Sequence, residues 1–142
     1  MSQLTKISDA LVEHLKAIPG LSGVVERKWL EENDNPELQS LRVSVIPRML
    51  DSTLAARNAN IKDFKVVVYI AKHIHNDGEG DAMMSLTEKI IDRIESKEWD
   101  AQAVGATYAS IAMTFDDGQN LNERNLWRAI LEVTYRLARG QQ

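Results

Sequence analysis

The stretch FKVVVYIA, residues 64–71, decides the fold. Its alternate residues Phe64, Val66, Val68 and Ile70 would point to one side of a β-strand, and they are all apolar. The other side carries Lys65, Val67, Tyr69 and Ala71, which are also mostly apolar. A strand that is apolar on nearly both faces is typical of the middle of a sheet, so we expect the rest of the chain to cover it.

Further strands are predicted on both sides of this central segment. Residues 24–29 are compatible with a short strand, and Leu41, Val43 and Val45 alternate with polar residues in a strand that ends at Pro47. Alternation returns in residues 109–115 and again in residues 127–137. The acidic pair Asp116 and Asp117, followed by Gly118, is typical of a hairpin turn between those two strands.

Two segments have helical spacing. The first carries apolar residues at steps of three or four, with Ser2 as N-cap and a stop at Pro19 and Gly20; its stripe is Leu4, Ile7, Leu11, Leu15 and Ile18. The second follows a polar turn over residues 75–80, with Asp81 as the cap; its stripe is Met84, Thr87, Ile90, Ile91 and Ile94. The order helix, three strands, helix, two strands predicts an α+β fold, in which a mostly antiparallel sheet of about five strands packs against two main helices.

Length and composition restrict the classes of protein. A chain of 142 residues with 44% apolar and 27% charged residues predicts a single domain over residues 1–142. The absence of cysteine excludes disulfides, thiol nucleophiles and cysteine-ligated metals. The net charge of −4 disfavours nonspecific nucleic-acid binding, and no signal peptide or membrane-spanning stretch is recognisable, which predicts an intracellular product with no membrane partner.

The strongest candidate for chemistry is the polar segment after the central strand. His73 and His75 are spaced to share a metal, and Asp77, Glu79 and Asp81 would add oxygen ligands. However, Ala82 occupies the position where a calcium-binding EF-hand loop needs glycine, so a solvated turn is favoured over a metal site. Glu13 with His14, and Asp116 with Asp117, also favour structural roles. No common catalytic motif is present, and we expect no metal, no cofactor and no enzyme activity.

Residues 48–60 have no firm period and are interpreted as a long arm. Apolar side chains beside arginine are typical of protein interfaces, and this segment carries Arg48, Met49, Leu50, Leu54 and Arg57. The alternative is that the arm folds back on its own domain. Basic residues concentrate between positions 42 and 72, which is compatible with a solvated edge, a protein interface or a nucleic-acid site.

The order of these segments resembles the tail terminator, or tail-completion, proteins of long-tailed bacteriophages. The resemblance extends over most of the chain but contains no chemically unique motif. It is carried by ISDALVEHL before IPGL (7–21), LRVSVIPR (41–48), AAR (55–57), DFKVVVYIAK (63–72), DGEGD (77–81), SLTEKIIDRI (85–94) and LWRAILEVTYR (126–136).

The resemblance implies a virion protein, assembled in the host cytoplasm, that forms a ring, commonly a hexamer. Such a ring caps the tail tube, ends tube polymerisation and joins the tail to the neck or head-completion protein. DNA would pass through it without specific binding, and negative loops would repel the phosphates. Candidates for that acidic lumen are Glu31, Glu32, Asp34, Asp77, Glu79 and Asp81. The alternatives are a head-closure or other neck subunit, a small nucleic-acid-binding module, or an uncharacterised enzyme.

Overall fold

The computed structural model describes residues 2–29, 40–56, 59–102, 104–115 and 126–140. Its elements, in chain order, are α1 (Gln3–Lys16), β1 (Val25–Arg27), β2 (Arg42–Ala56), β3 (Ala59–His73), α2 (Asp77–Glu95), a 3₁₀ helix (Lys97–Gln102), β4 (Thr107–Phe115) and β5 (Leu126–Gly140). The strands form one sheet in the order β1-β2-β3-β5-β4. Only the β1–β2 pair is parallel, so the predicted α+β class with a mostly antiparallel sheet is confirmed.

Strand β3 lies in the middle of the sheet, as its apolar faces predicted. It pairs antiparallel with β2 on one side and with β5 on the other. One face of these three strands is almost fully excluded from solvent and carries Val43, Val45, Phe64, Val66, Val68, Ile70, Ala129, Leu131, Val133 and Tyr135. The same core cluster contains the apolar stripes of α1 and α2, so both helices cover this one face of the sheet. We call it the helix-side face. The opposite face is called the open face because neither α1 nor α2 packs on it, although its residues Ile46, Val67 and Ala71 are also buried.

Helix α1 begins after the predicted N-cap Ser2 but ends at Lys16, three residues before the predicted stop at Pro19. The Ser2 hydroxyl accepts a hydrogen bond from the Thr5 amide at 3.1 Å, which satisfies one of the otherwise unpaired amides of the first turn. The helix ends at Lys16, and Gly20 then adopts a left-handed conformation with φ of 90°. Ile18 and Leu21 flank this turn and are buried, so the turn directs the chain back to the core before β1.

The prediction that a strand ends at Pro47 is wrong, because β2 continues to Ala56. Proline lacks an amide donor, but it is tolerated on a strand at a bulge, and the pairing of β2 with β3 shifts between Pro47 and Met49. Arg48 is the extra residue. Before the bulge odd-numbered residues face the helices, and after it even-numbered ones do, which explains why residues 48–60 show no single period.

Of the residues interpreted as an arm, 48–56, 59 and 60 therefore belong to strands β2 and β3, which pair antiparallel. The central strand is also longer than predicted and runs from Ala59 to His73. The short strand expected over residues 24–29 is confined to Val25–Arg27. The predicted turn at Asp116, Asp117 and Gly118 lies outside the described residues.

The start of α2 also differs from the prediction, since Asp81 is not its cap. The helix begins at Asp77, and Asn76 is the N-cap, whose side-chain oxygen accepts a hydrogen bond from the Glu79 amide at 2.9 Å. Residues 77–80, predicted as part of a turn, form the first turn of the helix. Gly78 and Gly80 explain the error. Glycine is a poor helix former, so a segment with two glycines is typical of a turn rather than of a helix. None of the described helices is long and apolar enough to cross a membrane.

A reciprocal contact joins α1 to α2 at the buried residue His14. Its ring Nε2 donates to the Arg93 carbonyl at 2.6 Å, and the Arg93 guanidinium donates to the His14 carbonyl at 3.0 Å. The imidazole also meets the Trp99 ring edge to face at 5.6 Å, and Trp99 stacks on Tyr135 at 4.5 Å. These contacts connect both helices, the 3₁₀ helix and β5.

Replacement of Val68 by aspartate should severely destabilise the fold. Val68 is fully buried and pairs with Val45 and Leu131, so the carboxylate would be desolvated among apolar side chains. We expect Val68→Asp to lose more than about 3 kcal/mol of unfolding free energy, measured by denaturant titration. The exposed control Thr53→Asp should lose less than about 1 kcal/mol. An unchanged midpoint in Val68→Asp would contradict the central position of β3.

Stability should also fall in mild acid because of His14. Burial lowers the pKa of His14 below its ordinary value of 6.5, so the unfolded chain binds a proton that the folded chain resists. The contribution is complete above pH 6.5 and is lost as the pH falls below it. The melting temperature should decrease between about pH 7.5 and pH 5.5, and His14→Gln should reduce that decrease. Equal slopes for the two proteins would show that His14 does not titrate as proposed.

Candidate assembly interface

The distal half of the β2–β3 hairpin is the part of the sheet that the helices leave uncovered. We call residues 48–56 of β2 and 59–63 of β3 the arm. Leu50 and Leu54 lie on the helix-side face, because they pair with Phe64 and Asn60. Their exposed fractions are 50% and 66%, whereas Val66 and Val68 on the same face are fully buried. The helix layer therefore stops short of the arm and leaves two large apolar side chains in solvent.

The open face of the arm is mainly polar. Arg136 of β5 donates two hydrogen bonds to the Asp63 carboxylate, at 2.8 and 3.3 Å, and this contact lowers the pKa of Asp63. Asp51 lies directly opposite Asp63 on β2. The guanidinium thus offsets the repulsion between two carboxylates on neighbouring strands. Met49 is on this face too, with an exposed fraction of 45%, so the arm is amphipathic but not strictly so.

Arg48 marks the base of the arm. As the extra residue of the bulge it has no cross-strand partner, and its guanidinium donates to the Tyr69 hydroxyl at 3.0 Å. The Tyr69 ring in turn lies 5.3 Å from the Arg128 guanidinium of β5, within cation–π range. Because bulges bend a strand and increase its twist, this residue influences the direction in which the arm leaves the domain.

The structure brings four of the five predicted interface residues together, but on different faces. Leu50 and Leu54 share the helix-side face, while Met49 and the Arg48 guanidinium are on the open face. Arg57 lies outside the described residues. The alternative that the arm folds back on its own domain is not what the described residues do, because both leucines remain exposed.

The structure describes three of the six acidic residues predicted for a lumen. Asp77, Glu79 and Asp81 all lie at the start of α2, where carboxylates are favoured by the helix dipole. Glu79 accepts a hydrogen bond from the His75 amide at 2.7 Å, so it has a local capping role. Asp77 and Asp81 are exposed. Glu31, Glu32 and Asp34 lie outside the described residues.

The candidate chemical residues do not form a metal site within the described part of the chain. No group of three or more histidine, aspartate or glutamate side chains there is arranged to hold a metal ion. His14 and Glu13 do not face each other as an acid and a base: His14 is buried against Arg93, and Glu13 is exposed beside Lys16. The pair is therefore better explained by helix packing and a surface ion pair.

Strand β4 is a candidate surface that no motif in the sequence indicates. Thr107–Phe115 is the outermost strand on one side of the sheet, and Phe115 has an exposed fraction of 54% while its ring meets Trp127 edge to face. The nine residues TYASIAMTF contain neither a charged residue nor a proline. That composition was the available signal, because exposed edge strands normally carry such protective residues.

Comparison with known proteins adds no identification. The sequence matches no protein-family model and no curated protein.

Chelation should leave the protein unchanged if the histidines have no bound metal. We expect the melting temperature with excess EDTA to equal that without it, since His73 and His75 have no third ligand among the described side chains. Differential scanning fluorimetry of the protein as purified measures this. A fall in melting temperature that added Zn²⁺ reverses would instead show a structural metal.

Proposed function

We propose that the protein is a tail-terminator-like structural subunit of a long-tailed bacteriophage. In this function it self-associates into a ring that caps the tail tube, ends tube polymerisation and joins the tail to the neck. The observation that carries the proposal is the arm, which extends past the helices with Leu50 and Leu54 in solvent. The order of sequence segments described above is what relates this assembly function to phage tails.

The arm supports self-association because its apolar residues contribute nothing to the core. Exposed apolar side chains beside polar ones are characteristic of surfaces that bind other proteins. Burial of Leu50 and Leu54 against a neighbour would remove about 1.5–3 kcal/mol of unfavourable hydration for each side chain. The salt-bridged open face of the same arm has less to gain from burial, since desolvation of Asp63 and Arg136 would offset their attraction. The helix-side face is therefore the face that we assign to the interface.

Termination requires a subunit whose two ring faces differ. One face must complement the last ring of the tube, and the other must refuse further tube protein and accept the neck. A head-to-tail arrangement in a ring meets this requirement, because each subunit keeps the same orientation along the axis. The exposed carboxylates of Asp77 and Asp81 would repel DNA if the start of α2 faces the channel.

Charged side chains in place of Leu50 and Leu54 should weaken assembly without unfolding the subunit. We expect Leu50→Glu with Leu54→Glu to weaken self-association at least about tenfold, equivalent to 1.4 kcal/mol, while the circular dichroism spectrum is retained. Size-exclusion chromatography with light scattering measures the change. The matched control is Ala82→Glu with Ser85→Glu, which adds the same charge to the exposed surface of α2 and should assemble as the parent does.

These variants test whether the helix-side face of the arm is the subunit interface. If the Leu50 and Leu54 variant folds and associates like the parent, the helix-side face of the arm is not the interface. If both double variants lose association equally, added charge rather than the face is responsible.

The capping activity itself needs a separate test. Negative-stain images of the cognate tail tube protein, mixed with this protein during polymerisation, should show shorter tubes with an added density at one tip. Tubes of unchanged length and bare tips would contradict the function as a terminator. Binding to the neck protein without binding to the tube would instead favour the head-closure alternative.

A further inference from the structure

Strand β4 leaves one edge of the sheet open. Its inner side pairs with β5, and no strand within the described ranges pairs with its outer side. An open edge presents unpaired backbone amides and carbonyls, which are a template for another strand. Natural edge strands are normally protected by lysine, proline or inward charges, and Thr107–Phe115 has none of these. The pairing of β4 is irregular only between Tyr108 and Ser110, so Ser110–Phe115 is a regular, uncharged edge with which another strand can pair.

The other side of the sheet is open along the arm. β1 pairs with β2 only from Val43 to Val45, and the Lys28 amide donates to the Val45 carbonyl at 2.9 Å. From Ile46 to Ala56, the described residues place no strand beside this side of β2. Within the part of the chain that the structure describes, the sheet therefore has two edges without a neighbouring strand, one on β4 and one on the arm, with β3 and β5 between them.

The strand directions make these two edges complementary. β2, β3, β5 and β4 alternate in direction, because each neighbouring pair is antiparallel. β4 therefore runs opposite to β2. When a second subunit is placed beside the first in the same orientation, its β2 edge meets β4 as an antiparallel neighbour, which is the more stable kind of pairing. Repetition of this step produces a head-to-tail contact rather than a twofold dimer.

The large apolar residues of the two edges also lie on the same face. Phe115, Met113 and Ile111 are on the helix-side face, since Met113 and Ile111 pair with the buried residues Leu131 and Val133. Leu50 and Leu54 are on that face of the arm. An antiparallel register that places Phe115 opposite Leu50 places Ile111 opposite Leu54, because both pairs of residues are four apart. The same register keeps β4 clear of β1 on the neighbouring subunit, which covers β2 only as far as Val45.

We propose that β4 of one subunit pairs antiparallel with the arm edge of β2 in a second copy of this chain, with Phe115 opposite Leu50. This inference rests on the proposed ring and assigns its subunit contact. The pairing displaces the neighbour along the strand direction, and a stagger of this kind is a geometric requirement for a sheet that closes on itself. Backbone hydrogen bonds supply the affinity, and the apolar residues on the helix-side face fix the register.

The lack of cysteine makes the contact directly testable. In the proposed register Ala112 lies opposite Thr53, and both side chains are exposed on the open face. Opposed residues of an antiparallel pair are close enough for a disulfide. Two single-cysteine proteins, Ala112→Cys and Thr53→Cys, are mixed under mild oxidation, with a size-shifting tag on one of them. We expect a mixed disulfide dimer as the main product on a non-reducing gel.

The controls define the results that would overturn the contact. Ser44→Cys lies where β1 covers β2, so its mixture with Ala112→Cys should give no cross-link. A dimer of Ala112→Cys with itself as the main product would show twofold β4–β4 pairing instead. In parallel, Ala112→Lys with Thr114→Lys should weaken self-association at least tenfold by light scattering. The matched control is Ala82→Lys with Ser85→Lys on the exposed surface of α2, which should assemble normally.

The two proposals fail differently in these experiments. If the parent assembles, but the mixed disulfide is absent and the β4 lysine variant still assembles, the strand contact is wrong and the ring remains. If the parent is a monomer at every concentration and does not cap tubes, both proposals are wrong.

Discussion

Strand β3 is hydrogen-bonded to a neighbour on each side, β2 on one and β5 on the other, and the other elements take their positions from it. Both helices pack on the buried surface formed by its side chains Phe64, Val66, Val68 and Ile70. Since side chains of a strand alternate strictly, a shift of the β3 pairing register by one residue would turn these four side chains away from the helices. The register of β3 therefore determines which face of the sheet is covered, and hence which part of the arm is not.

Much of the fold was predictable because local rules and the fold agree. The alternation in β3 and β5, the stripe of α1 and the Ser2 cap each follow from nearest-neighbour chemistry. The errors have physical causes as well. A bulge at Arg48 shifts the alternation of apolar residues in β2 by one position. Two glycines at the start of α2 give its first turn the composition of a loop. Both features depend on contacts that a one-dimensional pattern does not contain.

The candidate site was predictable in composition but not in geometry. Apolar residues beside arginine drew attention to residues 48–60, and Leu50 and Leu54 are indeed exposed. Their common face, and the place of Met49 on the other, required the pairing of β2 with β3. The edge position of β4 depends on the order of strands in the sheet, in which β5 separates it from β3. No local pattern encodes that order. The alternation in β4 therefore predicts a strand but not its position at the edge of the sheet.

The bulge at Arg48 also bears on how such a subunit changes over evolutionary time. The pairing of β2 with β3 is regular from Arg42 to Pro47 and again from Met49 to Leu54. A homologous chain that lacks Arg48 would keep Val43 and Val45 on the core and Leu50 and Leu54 in their present orientation, with a straighter hairpin. Gain or loss of a single codon would thus alter the angle of the arm while the core stays untouched. If the subunit forms the proposed ring, rings of different curvature would then be accessible to descendants of one gene without any redesign of the domain that carries the arm.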